Sequence, residues 1–106
     1  MILLTVPSID PALGGPSYTV PSLARGLSER GERVTLFTTA SRAGDSSADL
    51  PFERVEVLRS HAAGGGAAIA PSFRGALRGF CLSRAVRLIH DNGLWTLINH
   101  DAAFIA

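Results

Sequence analysis

This sequence of 106 residues lacks several features that mark particular classes of protein. A single cysteine, Cys81, excludes an internal disulfide and favours a reducing compartment, so we expect a cytoplasmic protein. The net charge of only +1 gives no field that would predict binding to nucleic acid or to an anionic membrane surface. No apolar run approaches the roughly 18 residues that a membrane span needs, and no basic segment of a signal peptide precedes the apolar start.

What the chain does have is enough apolar material for a folded core. Hydrophobic residues make up 46% of it and charged residues 18%, which excludes a disordered chain. The length is that of one domain. The segment 61–70 contains the triplet Gly64–Gly66, and with the Ser-rich, acidic segment 41–51 it is expected to form loops.

The order of hydrophobic patterns predicts strands that alternate with helices. Ile2–Val6 is continuously apolar, as in a strand that is covered on both faces. A helical face follows, formed by apolar residues at i, i+3, i+4 and i+7 (Val20, Leu23, Ala24 and Leu27). Gly31 is placed to end that helix.

The rest of the chain continues this alternation. Residues 33–40 and 53–59 have the composition of strands, a helix is expected to begin near Pro71 or Ser72, and 85–89 is predicted as a buried strand. Residues 99–106 have helical composition and no stop signal, so we expect the chain to be cut inside a helix. The pattern predicts an α/β fold with right-handed crossovers, a Rossmann-like open parallel sheet of strand order 3-2-1-4 and helices on both faces.

The first candidate site is the run Gly14-Gly15-Pro16-Ser17 in front of the first helix. Free backbone N–H groups and the helix dipole favour an anion such as a diphosphate there, and the two glycines allow close approach. The alternative is that Gly14 and Gly15 only form a turn. No Gly-x-Gly-x-x-Gly and no Gly-Lys-Ser/Thr occurs, which disfavours nicotinamide enzymes and P-loop NTPases.

The second candidate site follows the strand predicted at 85–89. Imidazole, carboxylate and amide groups occur there within eleven residues and suit proton transfer or recognition of sugar hydroxyls (His90, Asp91, Asn92, Asn99 and His100). The alternative is a polar loop that caps the next helix. Trp95 is either a sugar-stacking surface or core. Metal ligation is not predicted, because the histidines lack i, i+4 spacing and no cysteine pair accompanies them.

Two stretches resemble family 4 glycosyltransferases. They are Gly14-Gly15-Pro16-Ser17 continued by residues 20–36, and Leu88-Ile89-His90-Asp91-Asn92-Gly93-Leu94-Trp95 continued by Asn99-His100. The resemblance implies that the chain is the N-terminal, acceptor-side half of a GT-B enzyme. Such an enzyme moves a sugar from a nucleotide-sugar to a glycan or lipid-linked acceptor in polysaccharide biosynthesis. It uses neither a metal nor a cofactor. The resemblance also implies that the whole enzyme associates peripherally with a membrane and does not bind nucleic acid.

The resemblance assigns roles to residues of both stretches. Asn92 and His90 become the catalytic candidates, and the substrate-binding candidates are Gly14, Gly15, Ser17, Asp91, Trp95, Asn99 and His100. Many members carry histidine where this chain has Asn92, and an amide cannot carry a proton near neutral pH. The family's donor site lies mainly in a second domain, so we expect residues 1–106 to be an incomplete N-terminal domain that is inactive alone. The alternatives are a non-catalytic, acceptor-binding half of a split glycosyltransferase and a small flavodoxin-like nucleotide binder.

Overall fold

The structure, a computed structural model, describes residues 1–40, 50–58, 72–93 and 97–106. The strands are β1 (Ile2–Thr5), β2 (Val34–Ala40), β3 (Glu53–Leu58) and β4 (Leu88–Asp91), and the helices are α1 (Pro16–Glu29), α2 (Phe73–Ser83) and α3 (Leu97–Ile105). A 3₁₀ turn at Pro11–Leu13 lies between β1 and α1. The predicted α/β alternation is confirmed. The loop predicted at 61–70, and most of the one at 41–51, lie outside the described residues.

The four strands form one parallel sheet in the order β3-β2-β1-β4, as predicted. In the register of the sheet, Leu4 of β1 lies beside Leu36 of β2 and His90 of β4. Because the strands are parallel, their carboxyl ends meet at one edge of the sheet, which we call the carboxyl edge. Ligands bind at this edge in open α/β sheets.

Each face of the sheet carries its own core. The face covered by α1, called the α1 face, buries Leu4, Val6, Val20, Ala24, Val34 and Leu36. The opposite face, called the α3 face, is covered by α2 and α3 and buries Leu3, Phe37, Val57, Phe73, Leu77 and Ala102. Alternate residues of a strand point to opposite faces, so the run of consecutive apolar residues in β1 supplies both cores.

Helix α1 ends as its sequence predicts. Gly31 has φ +86°, a left-handed conformation that glycine adopts without strain. Its N–H donates to the carbonyl of Ser28, and the N–H of Glu32 donates to the carbonyl of Leu27. These two hydrogen bonds form a Schellman motif, which satisfies carbonyls of the last turn and directs the chain into β2.

The prediction of a buried strand at 85–89 is corrected in both position and burial. Strand β4 spans Leu88–Asp91, because pairing with β1 begins where Leu88 lies beside Ile2. The preceding residues turn, with the N–H of Val86 donating to the carbonyl of Arg84. Among the strands that the structure describes, β4 is an edge strand, and α1 leaves its α1-face side chains exposed, with Leu88 54% exposed.

Candidate functional site

Two loops meet at the carboxyl edge, one after β1 and one after β4. The strands are parallel neighbours, so the loops that leave their ends lie side by side. One loop carries Gly14 and Gly15 into α1, and the other carries Asn92 and Gly93 towards α3. This arrangement places Gly15 and Asn92, one from each candidate site, at the same edge of the sheet.

Hydrogen bonds to and from side chains give the β1–α1 loop its shape. The hydroxyl of Ser8 accepts from the backbone N–H of Asp10 at 3.0 Å, and Oδ1 of Asp10 accepts from the N–H of Ala12 at 2.9 Å. The hydroxyl of Thr39, on β2, donates to the carbonyl of Pro7 at 2.5 Å. The contact from Thr39 holds the loop to the sheet, and the other two order the loop itself.

Gly14 and Gly15 form an open surface in front of α1. Both are exposed, and a Cβ atom built on either would meet no heavy atom within 4 Å. Gly14 has φ +94°, whereas Gly15, the N-cap of α1, has φ −49°. Glycine is therefore required by the backbone only at position 14. At position 15 a side chain would fit the fold and would occupy the space above the loop.

Ser17 lies inside this loop and does not face its open surface. The residue is 6% exposed, and its hydroxyl donates to the carbonyl of Ser8 at 3.4 Å. Its hydroxyl thus helps to close the loop. A role for Ser17 in binding substrate stays a prediction.

A hydrogen-bonded cluster joins the ends of β1 and β4 to α3 on the α3 face. The hydroxyl of Thr5 donates to Oδ1 of Asp91 at 2.5 Å, and Nδ2 of Asn99 donates to the same oxygen at 2.8 Å. Thr5 is fully buried and Asn99 is 3% exposed, while Asp91 is half-buried. The cluster orders the carboxyl edge by tying α3 to the sheet.

Asn92 holds the start of the second loop. Its Nδ2 donates to the carbonyl of Thr5 at 3.1 Å and to that of His90 at 3.0 Å, and its backbone N–H donates to Thr5 at 2.9 Å. Both amide hydrogens are thereby used within the protein, which leaves Oδ1 as the group that a ligand could contact. Gly93 follows with φ +147°, and an added Cβ would lie 2.9 Å from the side-chain amide of Asn99.

The structure separates residues that are neighbours in the sequence. His90 lies beside Leu4 and shares the α1 face, whereas Asp91 lies beside Thr5 and shares the α3 face. His90 is exposed on the α1 face, and His100 is exposed on α3. Trp95 lies outside the described residues. Of the predicted polar residues, the sheet therefore brings Asp91, Asn92 and Asn99 together and leaves His90 on the opposite face.

Cys81 lies away from the carboxyl edge, near the end of α2. It is half-buried against the α3-face core, and burial raises the pKa of its thiol. A thiol that resists ionisation is a poor nucleophile, so the contact of Cys81 with the α3-face core indicates a packing role. Within the described ranges, no three acidic, histidine or cysteine residues are grouped so that they could hold a metal ion.

The comparison with known families covers Gly14 and Gly15 of the first loop and the whole of the second. A family model described as "Glycosyl transferase 4-like domain" matches residues 14–106. The chain belongs to the glycosyl transferase 4-like family. The searches of curated proteins and of solved structures found no match. In this glycosyl transferase 4-like domain, none of the helices described is long and apolar enough to cross a bilayer.

Thr5 is the residue of this edge that the sequence analysis missed. The description of Ile2–Val6 as continuously apolar passed over the hydroxyl of Thr5, which is the residue that ends β1. A hydroxyl at the carboxyl end of a buried strand was the available signal. Its partner Asp91 is 86 residues away in the sequence, so the pair became visible only with the register of β1 and β4.

Proposed function

We propose that this domain takes part in transferring a sugar from a nucleotide-sugar to a glycan or lipid-linked acceptor, in the cytoplasm and in polysaccharide biosynthesis. The observation that carries the proposal is the family match over residues 14–106, which includes Gly14 and Gly15 and the loop that follows β4. The substrates lie on the α1-face side of that edge, and the whole enzyme works at a membrane surface, where a lipid-linked acceptor would be found.

In this proposal the Gly14–Gly15 loop receives the phosphates of the donor. The loop is exposed, and the space above both glycines is free of heavy atoms within 4 Å of a Cβ position. A phosphate oxygen can therefore approach the backbone closely. The N-terminus of the 14-residue helix α1 adds the positive end of a helix dipole at the same place.

The polar groups of the second loop take separate roles. His90 is exposed on the α1-face side, where its imidazole can accept or release a proton. Asn92 offers its Oδ1 to a sugar hydroxyl, because its two amide hydrogens are bonded to the carbonyls of Thr5 and His90. Asp91 and Asn99 act as positioning residues through their mutual hydrogen bond. Ser17, Trp95 and His100 stay in the proposal as substrate-binding candidates.

The test is sugar transfer by Gly15→Gln in a protein that combines residues 1–106 with a donor-binding domain, in one chain or as a separate subunit. Gln suits both the helical φ of −49° and the open space at this position, so the fold should be kept while the phosphate path is filled. Release of nucleoside diphosphate should fall about 100-fold or more, as expected when a ligand cannot reach its site.

Gly26→Gln is the matched control, because Gly26 lies in the same helix with equally open space. It should transfer sugar at the normal rate. Normal transfer by Gly15→Gln, in a protein whose circular dichroism is unchanged, would refute the donor role of the loop. Transfer that needs a separately encoded subunit would identify the domain as the acceptor-binding half of a split enzyme.

Asn92 provides a second and milder test. Asn92→Ala removes the acceptor Oδ1 and two loop hydrogen bonds, so transfer should fall by about 10- to 100-fold, the worth of one or two hydrogen bonds. Asn92→His restores the residue type found in many family members and should transfer sugar better than Asn92→Ala. Equal rates for wild type and Asn92→Ala would remove Asn92 from the site.

A further inference from the structure

The one tyrosine of the chain lies in the first turn of α1 with its side chain in solvent. Tyr18 is 60% exposed, although burial of an aromatic ring is normally favourable. The buried face of α1 is formed by Ser17, Val20 and Ala24, and Tyr18 is not part of it. The core of the domain therefore does not explain this aromatic side chain.

The helix directs Tyr18 towards the carboxyl edge. Side chains of an α-helix lean towards its N-terminus and cover the turn that precedes them. Tyr18 is the third residue of α1, so the turn that it covers is the one containing Gly14 and Gly15. The ring thus borders the exposed backbone at which the proposed function places the donor phosphates.

The surroundings of Tyr18 leave room for a flat, uncharged ligand. No atom lies within 4 Å of a Cβ position at Gly14 or Gly15, and the first turn of α1 carries no acidic residue. His90, on the same face of the sheet, is also exposed. Among the residues described, no ring or guanidinium group stacks on Tyr18, whereas the exposed ring of Phe104 is covered by Arg74 at 4.7 Å.

We propose that Tyr18 is a sugar-binding residue whose ring stacks on the C–H face of a pyranose at the carboxyl edge. This inference rests on the proposed function and names the class of ligand next to the phosphate position. A pyranose ring combines an apolar face, which suits the flat face of a tyrosine, with hydroxyls that imidazole and amide groups of the same edge, such as those of His90 and Asn92, are able to bind. The pyranose belongs either to the donor or to the acceptor, and steady-state kinetics separates the two.

The kinetic test compares Tyr18→Phe, which keeps the ring, with Tyr18→Leu, which keeps only apolar bulk. Tyr18→Leu should raise KM about three- to tenfold, the range expected for loss of an aromatic stacking contact, and kcat should change little. Tyr18→Phe should stay within about twofold of wild type. A rise in KM for the nucleotide-sugar assigns the pyranose to the donor, and a rise in KM for the acceptor assigns it to the acceptor.

Phe104→Leu is the matched control, since Phe104 is 73% exposed on α3, on the opposite face of the sheet. It should leave both KM values unchanged. Unchanged KM values in Tyr18→Leu overturn the proposal. Equal losses in Tyr18→Phe and Tyr18→Leu also overturn stacking, because the hydroxyl would then be the contact.

A binding measurement keeps this test independent of transfer. Saturation-transfer difference NMR with the methyl α-glycosides of glucose, galactose, mannose and N-acetylglucosamine reports contact between protein and sugar without a reaction. At least one glycoside should give a signal that Tyr18→Leu weakens and that Phe104→Leu leaves intact. If no signal depends on Tyr18 while transfer depends on Gly15, the inference fails and the proposed function stands. If a signal depends on Tyr18 in a protein that transfers no sugar, sugar binding by Tyr18 stands and the proposed function fails.

Discussion

The hydroxyl of Thr5 and the carboxylate of Asp91 join the two adjacent strands from which the loops of the carboxyl edge depart. Oγ1 of Thr5 donates to Oδ1 of Asp91 at 2.5 Å, and the carbonyl of Thr5 accepts two hydrogen bonds from Asn92. Nδ2 of Asn99 donates to the same oxygen of Asp91. One buried residue of β1 therefore contacts both β4 and the loop that follows it, so the geometry of the edge depends on Thr5.

Replacement of Thr5 by valine, which has nearly the same shape, should destabilise the domain. The change removes a hydrogen bond to a charged group at a fully buried position, and we expect a loss of about 1.5–3 kcal/mol in the free energy of unfolding. Urea denaturation measures the loss. Thr19→Val, at an exposed threonine of α1, is the control and should change stability by less than about 0.5 kcal/mol. Equal stability of the two variants would mean that the Thr5–Asp91 bond contributes nothing net.

Alanine at two glycines should change stability in opposite directions. Gly93→Ala forces φ +147° on a residue with a Cβ that would lie 2.9 Å from the Asn99 amide, so we expect a loss of about 1–3 kcal/mol. Gly26→Ala, inside α1 with open space around it, should stabilise by about 0.5–1 kcal/mol. Thermal and urea melts check both signs. A stable Gly93→Ala protein would show that the loop can adopt another backbone path.

Local patterns were sufficient to predict most of the fold. The period of α1, its end at Gly31 and the strand order follow from short-range spacing and from the handedness of crossovers, so the sequence alone contains them. The first residue of β4 cannot be predicted in this way, because it depends on where β4 can pair with β1. Burial of β4 also depends on what lies beside it, and an apolar run cannot reveal that a strand stands at the end of the sheet.

The sequence was sufficient to predict where the candidate site lies, but not how its side chains are arranged. The glycine run that follows β1 and the polar residues at the end of β4 both lie at the carboxyl edge, where ligands bind in such sheets. The separation of His90 from Asp91 onto opposite faces follows from the alternation of a strand, but only after position 91 is known to be inside β4. The side-chain amide of Asn92 donates to the backbone carbonyls of Thr5 and His90, and no sequence pattern identifies such partners.

Arg74 links α2 to α3, and its loss should weaken that contact modestly. Its Nη2 lies 2.6 Å from Oδ1 of Asp101, and its guanidinium lies 4.7 Å above the ring of Phe104. Because the Arg74 side chain is 52% exposed, solvent screens the ion pair, and Arg74→Ala should cost no more than about 1 kcal/mol. Arg74→Lys should recover only part of the lost stability, since the ammonium group lacks the planar surface with which a guanidinium stacks on a ring. Arg78→Ala, an exposed position on the same helix, is the control, and an equal loss there would contradict a specific role for Arg74.

The thiol of Cys81 should make stability fall at alkaline pH. Burial raises the pKa of Cys81 above 9.0 in the folded protein, so above pH 9.0 the unfolded chain loses its thiol proton before the folded protein does. The stabilisation is fully present below pH 9.0 and is lost as pH rises through the folded pKa. Cys81→Ala removes this component. The stability difference between wild type and Cys81→Ala should therefore be constant below pH 9.0 and shift against wild type as the pH rises above 9.0, and a difference that stays constant at alkaline pH would contradict the raised pKa.

The position of β1 in the sheet has a consequence for how the chain acquires its structure during synthesis. Of the four strands described, β1 is synthesised first, and β2, which pairs with one side of it, begins at Val34. Its other side pairs with β4, which begins at Leu88, so a row of backbone N–H and C=O groups stays open until residue 88 has been made. Non-local parallel pairing of this kind folds slowly, and open strand edges favour aggregation. Among these four strands, the one that is synthesised first is thus the one that waits longest for its second neighbour.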